Sequence, residues 1–209
     1  DFYGKAIAIS PVPQALSNTG GIYHERGDFA RAVDAYRRAI EQRPNAAATH
    51  RNLGDSLLRL GRSSEARAAY RGAADLAEAA RAVNPADALN LASLAVYLQK
   101  AGDAAAAAGW LDEALRRAPS DPQVRYRAAL VHALAGRADQ ALAALSRALE
   151  LGYSRADAAK ADEFERLRAD ARFVALVRTW PAGGIAGRHT GGVSLRTRYP
   201  FVIRSQDMS

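Results

Sequence analysis

Histidine, aspartate, glutamate, serine and glycine are the residues whose chemistry has to be weighed first, because the chain has no cysteine. Without a thiol there is no disulfide, no thiolate nucleophile and no cysteine metal ligand. The histidines are His24, His50, His132 and His189, and no two share a helix face at the spacing that metal coordination from one helix requires. His50 and His132 stand where packing residues are expected, so both read as structural. Asp112–Glu113 and Asp162–Glu163 are adjacent carboxylates. Neighbours on a helix point in different directions, so neither pair can act jointly as acid and base, and both read as solvated faces. No serine sits in a Gly-x-Ser-x-Gly elbow, and the GGIAG stretch at 183–187 lacks the lysine and the preceding strand of a phosphate loop. These residues imply no catalytic chemistry, no metal and no cofactor.

The elements explain why. Of the 209 residues 49% are hydrophobic and only 7% aromatic, so the apolar content is mostly alanine, which favours closely packed helices. Glycines recur at Gly27, Gly61, Gly102 and Gly136. Each is followed at fixed distances by a small residue (Ala32, Ala66, Ala107, Ala141), a large one (Tyr36, Tyr70, Leu111, Leu145) and another alanine (Ala39, Ala73, Ala114, Ala148). A repeat of about 34 residues is the mark of stacked helical hairpins. The units are 13–46, 47–80, 88–121 and 122–155, and within each the apolar residues recur every three or four positions. Asp28 and Asp103, directly after turn glycines, read as helix caps, and Pro44 and Pro119 close their units. Seven extra residues separate the second and third units, which predicts a long second helix from about Ser63 to Val83, with the second unit extended to 87. Tyr3, Ala6 and Pro11 echo the repeat, so 1–12 is expected to be the end of a truncated upstream unit.

These residues resemble the tetratricopeptide repeat family. The second unit carries Leu53-Gly54, Gly61, Ala66, Tyr70 and Ala73, and the first carries Gly20, Tyr23, Gly27, Ala32, Tyr36, Ala39 and Pro44. Thr19, Ala129 and His132 depart from the motif. The resemblance implies an all-α fold, a right-handed α-solenoid of TPR helical hairpins with a C-terminal capping helix pair. It also implies a protein-protein interaction scaffold that is not an enzyme and binds a peptide or protein in a concave groove lined by the first helix of each unit.

By the motif's register the groove residues are Gln14, Ser17, Asn18 and Gly21, then Arg51, Asn52 and Asp55, then Ser93 and Val96, then Gln123, Tyr126, Arg127 and Leu130. The partner-binding set expected from them is Asn18, Arg51, Asn52, Asp55, Ser93, Val96, Tyr126 and Arg127. Asparagine offers an amide to a peptide backbone, and arginine a fork to a carboxylate. Asn52 and Arg127 are partial echoes of a carboxylate clamp found in some family members, whereas Ser17, Gly21 and Leu89 break that pattern.

Residues 156–180 read as the closing pair, with Phe164, Leu167, Phe173, Leu176 and Val177 turned inward and Asp162, Glu163, Glu165, Arg166, Arg168, Asp170 and Arg172 turned outward. Gly152-Tyr153, then Asp162, Phe164, Leu167-Arg168, Asp170 and Arg172-Phe173, are similar to the segment closing repeat arrays in bacterial regulators such as serine/threonine kinase-TPR proteins. That implies a docking portion of a larger kinase, cyclase or transcriptional regulator, although no kinase signature lies in this chain. Residues 181–209 turn to glycine, proline and arginine and are expected to be a disordered tail. The net charge is +7, carried almost wholly by arginine, with lysine only at Lys5, Lys100 and Lys160. Arginines scattered along helices read as a solvated face, so nucleic acid is not the expected partner. No apolar run approaches the roughly 18 residues of a membrane span and the first residues give no signal peptide, so the expected location is cytoplasmic.

Overall fold

A computed structural model of the chain describes residues 12–178. Among these there are helices and turns and no strand. Eight helices form four successive hairpins: α1 (Pro13–Glu25) with α2 (Phe29–Gln42), α3 (Ala47–Arg59) with α4 (Ser63–Val83), α5 (Ala88–Ala101) with α6 (Ala104–Arg117), and α7 (Pro122–Leu134) with α8 (Ala138–Glu150). Three short elements follow: α9 (Arg155–Lys160), a 3-10 helix (Asp162–Leu167) and α10 (Ala171–Val177). The expectations for 1–11 and for the tail beyond 178, Trp180 included, lie outside the described residues.

Turn chemistry sets the hairpins. Gly27, Gly61, Gly102 and Gly136 all adopt the left-handed conformation, with φ between 73° and 96°, where a Cβ would be strained. Asp28 and Asp103 then cap α2 and α6 by accepting from the N–H of Arg31 and Ala106. Between hairpins, Arg43, Asn84 and Ala118 leave the helical region, with ψ between 68° and 85°, before Pro44, Pro85 and Pro119, since the proline ring disfavours a helical residue ahead of it. The fourth hairpin ends differently, because Gly152 (φ 98°) and Tyr153 take the place of the proline turn and α8 is followed by short turns.

The repeated alanines pack the hairpins. Ala32, Ala39, Ala66, Ala73, Ala107, Ala114, Ala141 and Ala148 are each 2% exposed or less. A second pairing is coupled to them. A Cβ on Gly20 would stand 2.6 Å from Cε1 of Tyr36, and one on Gly54 2.5 Å from Cε1 of Tyr70, so the tyrosine ring lies flat against the helix that carries the glycine. In the third and fourth hairpins the corresponding residues are Ala95 with Leu111 and Ala129 with Leu145, all buried. The added methyl and the narrower side chain go together, which explains the departure at Ala129.

The extra residues lengthen α4 by about two turns. Ala74 near the end of the regular part and Ala77 at the start of the extension pack against Leu94, Leu98 and Ala107, and Asn90 donates to the Ala77 carbonyl at 2.8 Å. The closing segment contributes Phe164, Leu167 and Phe173 to the core formed with α7 and α8.

Candidate functional site

The first helices face a cavity of about 920 Å³. Its lining comes from the C-terminal end of α1 (His24, Glu25), from α3 (Arg51, Asn52, Asp55, Arg59), α5 (Ser93, Val96, Tyr97) and α7 (Gln123, Tyr126, Arg127, Leu130), and from the closing segment (Tyr153, Asp157, and 160–163).

Of the residues expected to bind a partner, Arg51, Asn52, Asp55, Ser93, Val96, Tyr126 and Arg127 border this cavity. Asn18 does not; its side chain accepts from Gln14 at 3.0 Å on the outer stretch of α1. Ser17 is likewise used in packing, its hydroxyl 3.3 Å from that of Thr49. Val96 is 3% exposed and Tyr126 9%, so they form the floor. The Tyr126 ring stacks on Tyr153 with centroids 3.9 Å apart, a contact supplied by the turn after α8.

Asp55 is committed within the protein. Its Oδ1 accepts from Lys100 Nζ at 2.7 Å and from the Tyr70 hydroxyl at 2.8 Å, and Arg51 Nη1 lies 3.4 Å from Oδ2. Burial alone would raise its pKa, but the charges of Lys100 and Arg51 and the two hydrogen bonds hold it below the ordinary carboxylate value. Lys100 is the counterpart: burial would lower its pKa, and Asp55 with Glu163 holds it above the usual lysine value. Glu163 Oε1 is 2.7 Å from Lys100 Nζ, and the two side chains are 8% and 7% exposed.

This corrects the expected outward orientation of Glu163, whereas Asp162 borders the cavity and keeps its exposure to solvent. Glu163 turns into the cavity, because the segment after Gly152 runs back over the first-helix face and Phe164 beside it is fully buried against Tyr126 and Phe173. Asp162 lies 3.6 Å from His24 Nε2 and 3.5 Å from Arg59 Nη1. Lys100, Asp162, Glu163 and Tyr153 are the site residues that sequence reasoning missed. One signal was there: Lys100 is the single lysine within the four units of an otherwise arginine-rich chain.

Arg127 has the opposite situation to Lys100. Its Nε donates to Ser93 Oγ at 2.9 Å and its Nη1 to Gln123 Oε1 at 3.1 Å, but no carboxylate among the described residues pairs with it. Burial lowers its pKa, Tyr97 and Tyr153 act weakly the other way, and Arg51 adds to the lowering. Tyr70 and Tyr126 have strongly raised pKa values through burial and stay neutral. Two histidines bond within the protein: His50 Nε2 lies 2.9 Å from the Pro44 carbonyl, and His24 Nδ1 2.8 Å from Ser56 Oγ. Among the described residues no group of three or more His, Cys, Asp or Glu is placed to hold a metal.

Sequence models described as TPR repeat match residues 20–61, and models described as Tetratricopeptide repeat match 49–79, 70–122 and 93–160. The chain belongs to the tetratricopeptide repeat family. No curated protein sequence matches this TPR chain. Solved structures similar to it include the APC/C hetero-tetramer Cut9-Hcn1, with a TM-score of 0.53 at 15% identity over 83% of this chain and 34% of that one. They also include MamA, with a TM-score of 0.43 at 18% identity over 74% of this chain and 87% of that one. A third is YrrB, described as a TPR protein with an unusual peptide-binding site, with a TM-score of 0.33 at 17% identity over 73% and 93%. The first shares the helical-repeat fold. No helix among the described residues is long and apolar enough to cross a membrane.

Proposed function

We propose that this TPR array is a protein-interaction scaffold that takes a carboxylate-bearing peptide into the chamber on its first-helix face. The observation that carries the reading is Arg127: a guanidinium removed from much of the solvent, held in place by Ser93 and Gln123, with no carboxylate opposite it. A cation whose burial is uncompensated gains most from an incoming anion, and its planar fork suits a carboxylate. Arg51 and Asn52, on α3 across the intervening α5, border the same chamber and can take further oxygens, and Tyr97 provides an aromatic wall. Asp55 and Glu163 do not compete, since both are taken up by Lys100, and Asp162 faces Arg59 and His24.

The test is an array of fluorescent peptides with a free or an amidated C-terminus and with or without acidic side chains, titrated by anisotropy. Arg127→Ala should weaken binding of the carboxylate-bearing members by about 10- to 100-fold, the value of a lost charge-assisted contact. Arg37→Ala and Arg147→Ala, which break exposed pairs with Glu65 and Glu150, should leave affinity unchanged. Equal losses at Arg37 or Arg147, or binding indifferent to the carboxylate, would exclude the chamber as the working surface.

A further inference from the structure

In a stacked array each unit touches only its neighbours, and the ends do not sense one another. Two acidic residues of the closing segment break that rule. Asp162 reaches His24 at the end of α1 and Arg59 at the end of α3, while Glu163 reaches Lys100 at the end of α5. These three positions belong to the first, second and third hairpins, yet the segment packs its apolar side on α7 of the fourth.

The two arms differ in depth. Asp162 is 45% exposed and its partners lie at 3.5 Å and 3.6 Å, so this arm is loose and open to solvent. The Glu163 arm is nearly dry, and Lys100 satisfies two carboxylates at once, Asp55 and Glu163, both at 2.7 Å. A compact ammonium with donors spread around one nitrogen can bridge two carboxylates from different directions, which a planar guanidinium does poorly. The Tyr70 ring, 5.2 Å from Nζ, supports the same charge. Phe164, fully buried next to Glu163, keeps that carboxylate aimed inward.

We infer that Asp162 and Glu163 form an end-to-end clasp that closes the chamber and couples the closing segment to the first three hairpins. The clasp stands apart from the peptide reading, because it concerns Lys100, Arg59 and His24 and does not depend on Arg127 having a partner. The basic end of the chamber is thereby taken by the chain's own carboxylates, and a visiting peptide is left the Arg127 end.

Hydrogen exchange on the full chain tests this. Asp162→Asn combined with Glu163→Gln keeps the side-chain volumes and removes the charges. It should accelerate amide exchange at residues 22–26, 57–61 and 98–102 by about fivefold or more, since breaking a tertiary tie lowers the local opening free energy of the elements it holds. Glu165→Gln, an exposed carboxylate of the same 3-10 helix, should change none of these. Coupling is reciprocal, so Arg59→Ala, an exposed and foldable change, should accelerate exchange in 161–168. Acceleration confined to 155–178 in the double variant, or an unaltered closing segment in Arg59→Ala, would overturn the clasp. Should the double variant not fold, the Arg59→Ala result decides alone.

Discussion

Lys100 shows how one residue can tie together parts of the chain that sequence keeps apart. Buried between Asp55 and Glu163, it neutralises two carboxylates that would otherwise be desolvated without a partner. Lys100→Met should therefore destabilise by about 3 to 5 kcal/mol, the usual consequence of leaving one side of a buried ion pair alone, read as a shifted denaturant midpoint. The pH dependence follows from the same pair. Asp55 has a folded-state pKa below its unfolded value, so its contribution is present above about pH 4 and is lost as pH falls through the lower folded value. Lys100 and Tyr70 have folded-state values above their unfolded ones, so their contribution holds below about pH 10 and is lost as pH rises further. Denaturation midpoints should form a plateau between those limits and fall at both ends, with the alkaline fall reduced in Lys100→Met. The sequence marked Lys100 as unusual only by type. Its meaning depends on Asp55 and Glu163 arriving beside it, and nothing local to Gln99-Lys100-Ala101 specifies that.

Helices and turns, by contrast, are set by short-range rules, and these were legible. The stretch from Ser63 to Val83 is a single helix because its alanines favour one and Pro85 ends it, both visible in the sequence. The turn glycines, the Asp caps and the buried alanines follow from spacing alone. What spacing does not reveal is which faces meet, and the coupling of Gly20 to Tyr36 is a case in point. Gly20→Ala improves helix propensity by about 1 kcal/mol but drives a methyl into the Tyr36 ring, and overpacking of this kind costs about 1 to 3 kcal/mol. Tyr36→Leu alone leaves a void. Together they reproduce the Ala–Leu arrangement of the third and fourth hairpins, so the double variant should be more stable than the sum of its singles by about 1 kcal/mol or more. Strict additivity in a double-mutant cycle by urea denaturation would show that the two positions pack independently. Ala32→Phe and Ala107→Phe have no compensating partner and should each cost about 1 to 3 kcal/mol, seen as a lowered midpoint.

A solenoid without end contacts unfolds from its weakest unit, with stability close to a sum of units and neighbouring interfaces. The closing segment changes that expectation, and the outward placement read for Glu163 failed for the same reason: helical periodicity was applied where the chain forms a 3-10 turn that doubles back. Truncation after Lys160 separates the two descriptions. It removes Phe164, Leu167 and Phe173 from the core over α7 and α8, each worth about 1.5 to 3 kcal/mol when buried, and it also strips Glu163 from Lys100 and Asp162 from Arg59 and His24. If only neighbours mattered, the fourth hairpin would fray and the first two would keep their exchange protection. With the clasp, the loss should reach α1 and α3 as well, and thermal unfolding should broaden, with the van't Hoff enthalpy falling below the calorimetric one. Salt offers an independent handle on the full chain. At 1 M the screening length is about 3 Å, which weakens the exposed Asp162 arm but spares the dry Glu163 arm. High salt should therefore speed exchange at the ends of α1 and α3 while the end of α5 stays protected, whereas truncation should release all three. Uniform behaviour under both treatments would mean that the arms do not divide the work by depth.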